Sequence, residues 1–512
     1  TVELRRNWIY DNTSYGIENG SGATIDAILN YWGAKSGPKH SSNTGGLGDD
    51  VSDNVDFNPW HQDADFISIS EGTVLNINQE KYYKTIQAAV NEANPGDTIQ
   101  VGAGTYNECV FIDRKVTLTG DCGDEDSPGP GPNAPVLDGT GFNSEAAFRI
   151  EGASDVTIEG FEIKNYRGGY NSIGVFGYRS GVNNITVRYN YIHDVEGYGI
   201  QAFNGYASEV LRDWTITHNK IEKFGQCGIN LYNADDSIIS ENQISNPNPG
   251  SSNAILLRAH AVSSVPVVMS NIEISENDIS NILDTAIYVL AQADQNVSHI
   301  AIVDNVAIVD NDITGDKTAI MLWRYGIGTA IVKDVNITGN SISINNPTSD
   351  FAALTLYDVG GASTLSNNSI KITGGNMPGV WIAGAPTGDW TVANNYFDGG
   401  NNESRGIDAW VLPETSNLNI SENVVTGWKL GIAYWGYASI EVKSNLIYGN
   451  QVGLQSDIVI DATLNYWGHE SGPYHESSNP LGQGNSVSNN VVFDPWYIDI
   501  ECTISSDQEA MD

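Results

Sequence analysis

The chain has 512 residues, of which 63 are acidic and 24 are basic, so its formal net charge is −39 at pH 7. This charge argues against nucleic acid and anionic membranes as partners, because both are themselves negatively charged. No run of apolar residues is long enough to span a bilayer. The length is sufficient for two or three ordinary domains or for one long solenoid.

The start of the chain repeats its end. The segments IDAILNYWGAKSGPKHSSN and VSDNVDFNPW match IDATLNYWGHESGPYHESSN and VSNNVVFDPW, so Trp32 corresponds to Trp467 and Trp60 to Trp496. The last coil of a solenoid exposes unpaired backbone groups, and we expect these tryptophans, with nearby prolines, to cover it.

This repetition predicts how the chain is divided. We expect a longer array of modules, of which the sequence contains the closing coils and cap of one module, a linker with a first strand, one complete module with its own cap, and a tail or the start of a further linker. These parts are residues 1–60, 61–81, 82–496 and 497–512.

A short capping helix is predicted at the start of the complete module. Thr85 can cap it, Ile86 and Val90 lie on its apolar side, and Pro95 ends it. The short apolar segments TIQV, CVFI and VTLTG that follow predict strands.

An acidic loop rich in Pro and Gly, DCGDEDSPGPGPNAP, occupies residues 121–135. Asp121, Asp124 and Asp126 can supply oxygen ligands for Ca²⁺, which is a hard cation. A solvated turn is the alternative, because the spacing is not that of an EF-hand.

From about residue 185 to residue 465 one phrase returns, apolar-x-apolar-x-x-Asn-x-apolar, at spacings of 22 to 35 residues. Such a period is typical of a solenoid, and the alternation of apolar and polar residues predicts short strands with one buried face. Strands joined by bends, each paired with its equivalent about 4.8 Å along, predict an all-β, right-handed parallel β-helix. We expect the asparagine to lie at the bend, because it tolerates a left-handed backbone and can bond to the asparagine stacked above it. These asparagines are Asn190, Asn219, Asn242, Asn277, Asn311, Asn340, Asn368, Asn395, Asn423 and Asn445.

The helix, the motifs PGDTI and GTYNE and the VTLTG strand resemble the start of pectate-lyase-like right-handed β-helices. The Asn-x-Ile coils and the NYWG…GP…PW endings resemble β-helix repeats of archaeal and bacterial cell-surface proteins. The resemblance implies the fold over roughly residues 82–496. It leaves the activity open, because this superfamily contains lyases, hydrolases, epimerases, adhesins and shell proteins.

The second short strand of each coil, after the loop, predicts an aromatic face. Its alternation turns one set of residues inward and the next set outward. This face could pack against another copy or module, stack on the sugar rings of a polysaccharide, or lie beneath loops of the same chain. Its rings are Tyr178, Phe203, Tyr232, Tyr288, Trp323, Tyr357, Trp381, Trp410 and Trp435.

In carbohydrate-acting members of the resembled superfamily this face commonly holds the cleft. A lyase or epimerase needs a base and a cation beside the uronate carboxylate. Each candidate can equally be a solvated loop residue, and no HExxH, CxxC or GxSxG motif is present. The candidates are Arg258, His260, Asp294, Arg324, Tyr325 and Asp358.

Cysteines and sequons are compatible with an exterior location without requiring it. Cys109 and Cys122 can pair across a loop or remain buried thiols, and Cys227 and Cys502 have no obvious partner. Asn-x-Ser/Thr sequons permit glycosylation. They are at Asn12, Asn19, Asn184, Asn296, Asn336, Asn367, Asn402 and Asn419.

Tandem repetition, acidity and the aromatic face favour an extracellular structural or adhesive protein. Such a module would build a surface layer, sheath or fibre by lateral or end-to-end self-association. The alternatives are a polysaccharide lyase or epimerase acting on acidic glycans, and a non-catalytic glycan-binding module.

Overall fold

The computed structural model describes residues 2–66, 69–70, 74–205, 210–246, 252–293, 296–349, 351–384, 388–410, 416–503 and 505–506. Within these ranges the chain forms the right-handed parallel β-helix that its repeats predict, with one short helix.

Most coils contribute three strands, each of which pairs in parallel with its equivalent in the next coil. The first strands of the coils are Asp97–Val101, Val116–Thr119, Val156–Glu159, Ile185–Arg188, Trp214–Thr217, Ile238–Ser240, Val267–Ser275, Ile300–Val309, Thr329–Thr338, Val359–Ser366, Gly388–Ala393, Asn417–Ser421, Ser439–Lys443, Ile460–Asp461 and Val491–Val492. The second strands are Gly104–Tyr106, Pro135–Asp138, Glu162–Lys164, Tyr191–Val195, Lys220–Phe224, Gln243–Ser245, Asp278–Ser280, Asp312–Gly315, Ser341–Asn345, Ser369–Thr373 and Leu446–Tyr448.

The third strands carry the residues of the predicted aromatic face. They are Val110–Ile112, Phe148–Ile150, Val175–Tyr178, Tyr198–Phe203, Cys227–Tyr232, Asn253–His260, Ile287–Gln292, Ile320–Tyr325, Leu354–Tyr357, Val380–Ala383, Val452–Ser456 and Gly484–Val487. In two coils the second and third strands are continuous, as Tyr396–Trp410 and Val424–Trp435. The remaining strands are Tyr15–Ile17, Ile25–Asp26, Pro38–Lys39, Gly48–Val51, Val55–Asp56, Val74–Asn76, Lys81–Tyr83, Leu211–Arg212, Ala234–Asp235 and Pro473–Tyr474.

The helix Ile86–Glu92 begins where the sequence predicts it. Thr85 has an extended backbone, and its hydroxyl accepts a hydrogen bond from the N–H of Ala88 at 3.1 Å. The carboxylate of Glu108 accepts the N–H groups of Ile86 and Gln87, both at 3.0 Å. The side chains of Thr85 and Glu108 therefore accept the backbone N–H groups of the first turn, which have no partner within the helix.

The predicted asparagine stack is present and continues to Asn465. At each step both the backbone N–H and the side-chain Nδ2 of one asparagine donate to Oδ1 of the next. For Asn242 and Asn277 both distances are 3.0 Å, and Nδ2 of Asn277 lies 2.9 Å from Oδ1 of Asn311. These asparagines are buried, so the ladder satisfies polar groups that water cannot reach.

The left-handed backbone lies one residue earlier than we expected. Glu276, immediately before Asn277, has φ of 55°, and Gly339, immediately before Asn340, has φ of 70°. The preceding residue makes the bend at the surface, and the asparagine that follows turns its amide inward. The same bend occurs in a coil without the asparagine. There Gly160 has φ of 77°, and Phe161, which follows it, occupies the asparagine position.

The side chains that the alternation turns inward form one continuous core. Ile255 pairs with Ile287, and Ile287 pairs with Ile320, so equivalent side chains stack coil upon coil. This burial of apolar surface from every coil is the main source of stability in such a fold. The fully buried members of this line are Ile200, Ile229, Ile255, Ile287, Ile320, Leu354, Val380, Ile407 and Ile432.

The two matching segments at the start and end of the chain have the same conformation. Leu29 and Leu464 both have φ of 56°, and each donates its N–H to a proline carbonyl at 2.6 Å. Trp32 and Trp467 are fully buried. These two tryptophans therefore belong to the interior of the segments and do not lie over them as a cover.

The surroundings of the two segments differ. Ile28, Leu29 and Ile69 form an apolar cluster with Leu75, so the first segment packs against the strand Val74–Asn76, which pairs with the first strand of the complete module. At the other end Leu464, the equivalent of Leu29, is partly exposed.

None of the helices in the described residues has the length and apolar character needed to cross a membrane. All four cysteines are free thiols, so Cys109 and Cys122 do not form the disulfide that the sequence allowed.

Candidate functional site

The outward positions of the third strands form two columns that run along the β-helix. The first contains most of the predicted aromatic residues, and its members pair in register or stack ring on ring. It consists of Tyr178, Phe203, Tyr232, Arg258, Leu290, Trp323, Tyr357, Ala383, Trp410 and Trp435. The second, two residues earlier in each strand, includes Phe176, Gln201, Asn230, Leu256, Tyr288, Met321, Thr355, Trp381 and Asp408.

The aromatic face is divided into three clusters. Arg258 and Leu290 separate the first cluster from the second, and Ala383 separates the second from the third. The first cluster comprises Tyr178, Phe203 and Tyr232, the second Trp323, Tyr357 and Trp381, and the third Trp410 and Trp435.

The first cluster borders a cleft of about 510 Å³. Tyr178 and Phe203 are parallel at 6.2 Å, and the guanidinium of Arg149 lies 4.8 Å from the ring centre of Tyr178. Nη2 of Arg149 also donates to Glu151 at 2.8 Å. The cleft therefore combines aromatic rings with a paired charge.

At the first interruption the structure brings together two of the predicted catalytic residues and one aromatic residue. The Tyr232 hydroxyl is hydrogen-bonded to Nδ1 of His260, and the Arg258 guanidinium lies 5.0 Å from the centre of the Tyr232 ring. Nε of Arg258 donates to Oε1 of Gln292 at 2.9 Å, and the backbone N–H of His260 donates to Oδ1 of Asn233 at 2.7 Å. Tyr232 and His260 are each 8% exposed, so their contact is sheltered from water.

The other candidates lie further along the face. Arg324 forms an ion pair with Asp358, which is buried. Tyr325 is exposed and pairs in register with Gln292. These residues lie close to the Arg258 cluster but are not part of it, and Asp294 lies outside the described residues.

The third cluster contains a polar group that the sequence analysis missed. Asp408 is 3% exposed, and its carboxylate accepts hydrogen bonds from Arg405 Nη1 at 2.9 Å, Trp410 Nε1 at 2.6 Å and Trp435 Nε1 at 3.2 Å. Burial raises the pKa of Asp408, and these three donors oppose the shift. The signal was an acidic residue at an outward position of the apolar segment GIDAW, two residues before a tryptophan.

A cleft of about 300 Å³ adjoins this cluster. Its lining includes Phe351, Pro378, Trp381, Arg405, Asp408 and Trp410.

The acidic loop does not assemble a ligand set. Oδ2 of Asp121 accepts the N–H of Asn133 at 2.9 Å, whereas Asp124 and Asp126 are exposed. No group of three or more His, Cys, Asp or Glu side chains that could hold a metal ion occurs in the part of the chain that the structure describes.

The sequons differ in accessibility. Asn402 is buried, and Asn19 is partly exposed. The exposed ones are Asn12, Asn184, Asn296, Asn336, Asn367 and Asn419.

Comparisons with known proteins agree with this architecture. A family model described as right handed beta helix region matches residues 206–397 and 269–452, and one described as a protein of unknown function (DUF1565) matches residues 72–255. No curated protein matches the sequence.

Several solved structures have a similar fold. The A-module of the mannuronan C-5 epimerase AlgE4 from Azotobacter vinelandii has 15% identity and a TM-score of 0.50, covering 74% of this chain and 97% of that module. The tailspike of E. coli bacteriophage HK620, in complex with a pentasaccharide, has 12% identity and a TM-score of 0.46, covering 80% of this chain and 76% of that one. The tailspike gp49 of Acinetobacter baumannii bacteriophage Fri1, described as a capsular polysaccharide depolymerase, has 12% identity and a TM-score of 0.43, covering 69% and 59%.

At these identities the similarity concerns the fold alone. The chain is a right-handed parallel β-helix protein, as its resemblance to the pectate-lyase-like superfamily implied.

Proposed function

We propose that the protein binds a polysaccharide along the aromatic face. The observation that carries this proposal is the alternation of aromatic clusters with arginine-containing polar clusters on one sheet. Sugars are recognised in this way, because their C–H faces pack on aromatic rings while planar polar side chains bond their hydroxyl groups. The coil spacing of about 4.8 Å is also close to the length of one sugar unit in an extended chain.

The rings of the second cluster are held rigidly. Trp323 and Tyr357 stack at 4.3 Å with 20° between their planes, and Tyr357 lies 6.2 Å from Trp381. All three are partly exposed. A preformed surface loses little conformational entropy when it binds a ligand.

The arginines offset the acidity of the chain on this face. Arg149, Arg258, Arg324 and Arg405 all lie on or beside it and are fixed by neighbouring carboxylates or amides. They supply donors to sugar hydroxyl or carboxylate groups despite the net charge of −39. The same fold also supports polysaccharide chemistry in the mannuronan epimerase module.

Calorimetric titration with a panel of neutral and acidic polysaccharides tests the proposal. We expect at least one to bind, and Trp323→Ala and Arg258→Ala to weaken its binding about ten-fold. Tyr474→Ala, which removes an exposed ring from the closing segment, is the matched control and leaves affinity unchanged. The proposal is overturned if no polysaccharide binds.

Lyase or epimerase chemistry is the second candidate, and the Tyr232–His260 contact beside Arg258 favours it. Arg258 would hold the uronate carboxylate and stabilise the charge that develops when the C5 proton is removed. The hydrogen-bonded Tyr232 and His260 would transfer that proton. In a lyase the C4–C5 double bond then forms as the C4–O bond breaks and the leaving oxygen takes up a proton, whereas in an epimerase C5 takes up a proton on its opposite face.

Self-association at the cell exterior is the competing proposal. The packing of Ile28 and Leu29 on Leu75 supports end-to-end contact between modules. Electron microscopy with and without Ca²⁺ distinguishes the two, since filaments or sheets that bind no polysaccharide favour assembly, and dispersed monomers that do bind favour recognition.

A further inference from the structure

We propose that the cleft beside Trp381 and Trp410 is a subsite for one uncharged pyranose ring. This inference rests on the proposed function and assigns a substrate class to one end of the face. It is carried by the lining of the cleft, where Trp381 and Trp410 lie beside the ion pair of half-buried Arg405 with buried Asp408.

The interruption leaves one side of Trp410 without a ring from its own column. Ala383 is in register with Tyr357 on one coil and with Trp410 on the other. Tyr357 and Trp410 are therefore two coil spacings apart, about 10 Å. Trp410 is 39% exposed, and the neighbouring cleft of about 300 Å³ is at the lower limit of small-molecule sites.

Asp408 fixes the indoles of the third cluster. Its Oδ1 accepts both Trp410 Nε1 and Trp435 Nε1, so the polar edges of the two rings turn toward the carboxylate. With their N–H groups bonded, the rings offer their π faces, on which the C–H face of a sugar can pack. Asp408 is thus a positioning residue for Trp410.

The charges on the lining favour an uncharged sugar. Arg405 is the cation of the lining and Asp408 the anion, and they are paired at 2.9 Å. A uronate carboxylate would have to compete with Asp408 for the guanidinium and would approach a buried negative charge. Neutral hydroxyl groups can instead bond to the outer side of the Arg405 guanidinium without breaking the pair.

Calorimetry with neutral hexasaccharides of β-1,4-glucose, β-1,4-mannose and β-1,3-glucose, and with acidic hexasaccharides, tests this assignment. We expect the native chain to bind at least one neutral hexasaccharide. Trp410→Ala should weaken that binding at least about ten-fold, and Tyr474→Ala should not. Trp381→Ala, which removes the other ring of the cleft, should also weaken that binding while keeping every polar contact of Asp408.

The positioning role of Asp408 needs its own variants. Asp408→Ala should weaken binding as much as Trp410→Ala does. Asp408→Asn keeps an oxygen that can accept an indole N–H, and we expect it to restore affinity to within about three-fold of the native value. Equal losses in the alanine and asparagine variants would contradict the positioning role.

The outcomes separate the two proposals. Neutral hexasaccharides that bind to Trp410→Ala and Trp381→Ala as well as to the native chain overturn the subsite, and a loss of binding on Trp323→Ala then still supports the face. If only acidic hexasaccharides bind, the assignment to an uncharged ring is wrong. If no hexasaccharide or polysaccharide binds, both proposals fail.

Discussion

The hydroxyl of Tyr232 is hydrogen-bonded to Nδ1 of His260, which is 28 residues later in the sequence but only one coil along the β-helix. The coil stacking therefore creates a tyrosine–histidine pair beside Arg258 that neither strand could form alone.

If this pair transfers protons, Tyr232→Phe and His260→Ala should each lower uronate cleavage or epimerisation at least about 100-fold. Arg258→Ala should do the same, because the developing charge loses its cation. The measurement is ultraviolet absorbance of unsaturated products for a lyase and proton exchange at C5 for an epimerase.

Tyr325→Phe is the matched control for this chemistry. Tyr325 is 58% exposed and lies two coils beyond His260 on the same face, so its loss should leave the rate unchanged. Full activity in His260→Ala would exclude the pair from the reaction.

The asparagine ladder should be necessary for stability. In Asn277→Ala, Asn242 loses the acceptor of its N–H and Nδ2, and the carbonyls of Ile239 and Ser275 lose a donor. Asn242 Nδ2 and the Ser275 carbonyl keep other partners, which leaves two groups affected. Buried polar groups left unpaired cost about 1–3 kcal/mol each, so we expect a total loss of about 2–6 kcal/mol in unfolding free energy. Urea denaturation measures it.

Asn417→Ala is the control for the ladder. This asparagine is exposed and donates to Asp389 at 2.6 Å, so its removal should change stability by less than about 0.5 kcal/mol. Similar urea midpoints for the two variants would show that the ladder is not needed for stability.

Asp235 should make stability depend on pH. Burial, followed by the nearby Asp236 and Asp213, raises its pKa to about 6 against the opposing effect of Arg212. The native state therefore binds this proton more readily than the unfolded chain, whose aspartates titrate near about 3.9. Protonated Asp235 therefore stabilises the native state fully below about pH 4, and this contribution is lost as the pH rises through about 6.

Asp235→Asn removes this titration. We expect it to raise the unfolding free energy at pH 7.5 by about 1–2 kcal/mol and to reduce the loss of stability between pH 4 and 6. Asp389→Asn, at an exposed position, is the control. If the difference in unfolding free energy between the native protein and Asp235→Asn is constant from pH 4 to 7, the raised pKa of Asp235 is contradicted.

The cysteines should react slowly in the native protein. Burial raises the pKa of Cys109 to about 12 and that of Cys122 to about 11, so few thiolates exist at pH 8. Titration with a chromogenic disulfide should detect four thiols in denaturant, with or without prior reduction. Detection of only two without reduction would show that a disulfide forms.

The sequence predicted the features that depend on local periodicity. Alternation placed Ile287 inside and Trp323 on the face, and the repeated position of Asn277 indicated the ladder. These predictions are correct because equivalent residues in successive coils have the same environment.

The features that failed depend on exact backbone geometry or on contacts between coils. The bend falls on Glu276 and not on Asn277, a shift of one residue that composition does not reveal. Asp408 is not among the predicted site residues, because its partner Trp435 approaches it only when the strands are stacked.

Leu29 and Leu464 adopt one backbone geometry although the first is enclosed by Leu75 and the second is partly open to solvent. The shape of this terminal turn is therefore set by its own residues, whichever neighbour adjoins it. A second unit can therefore join at this turn without any change in the backbone of the turn itself.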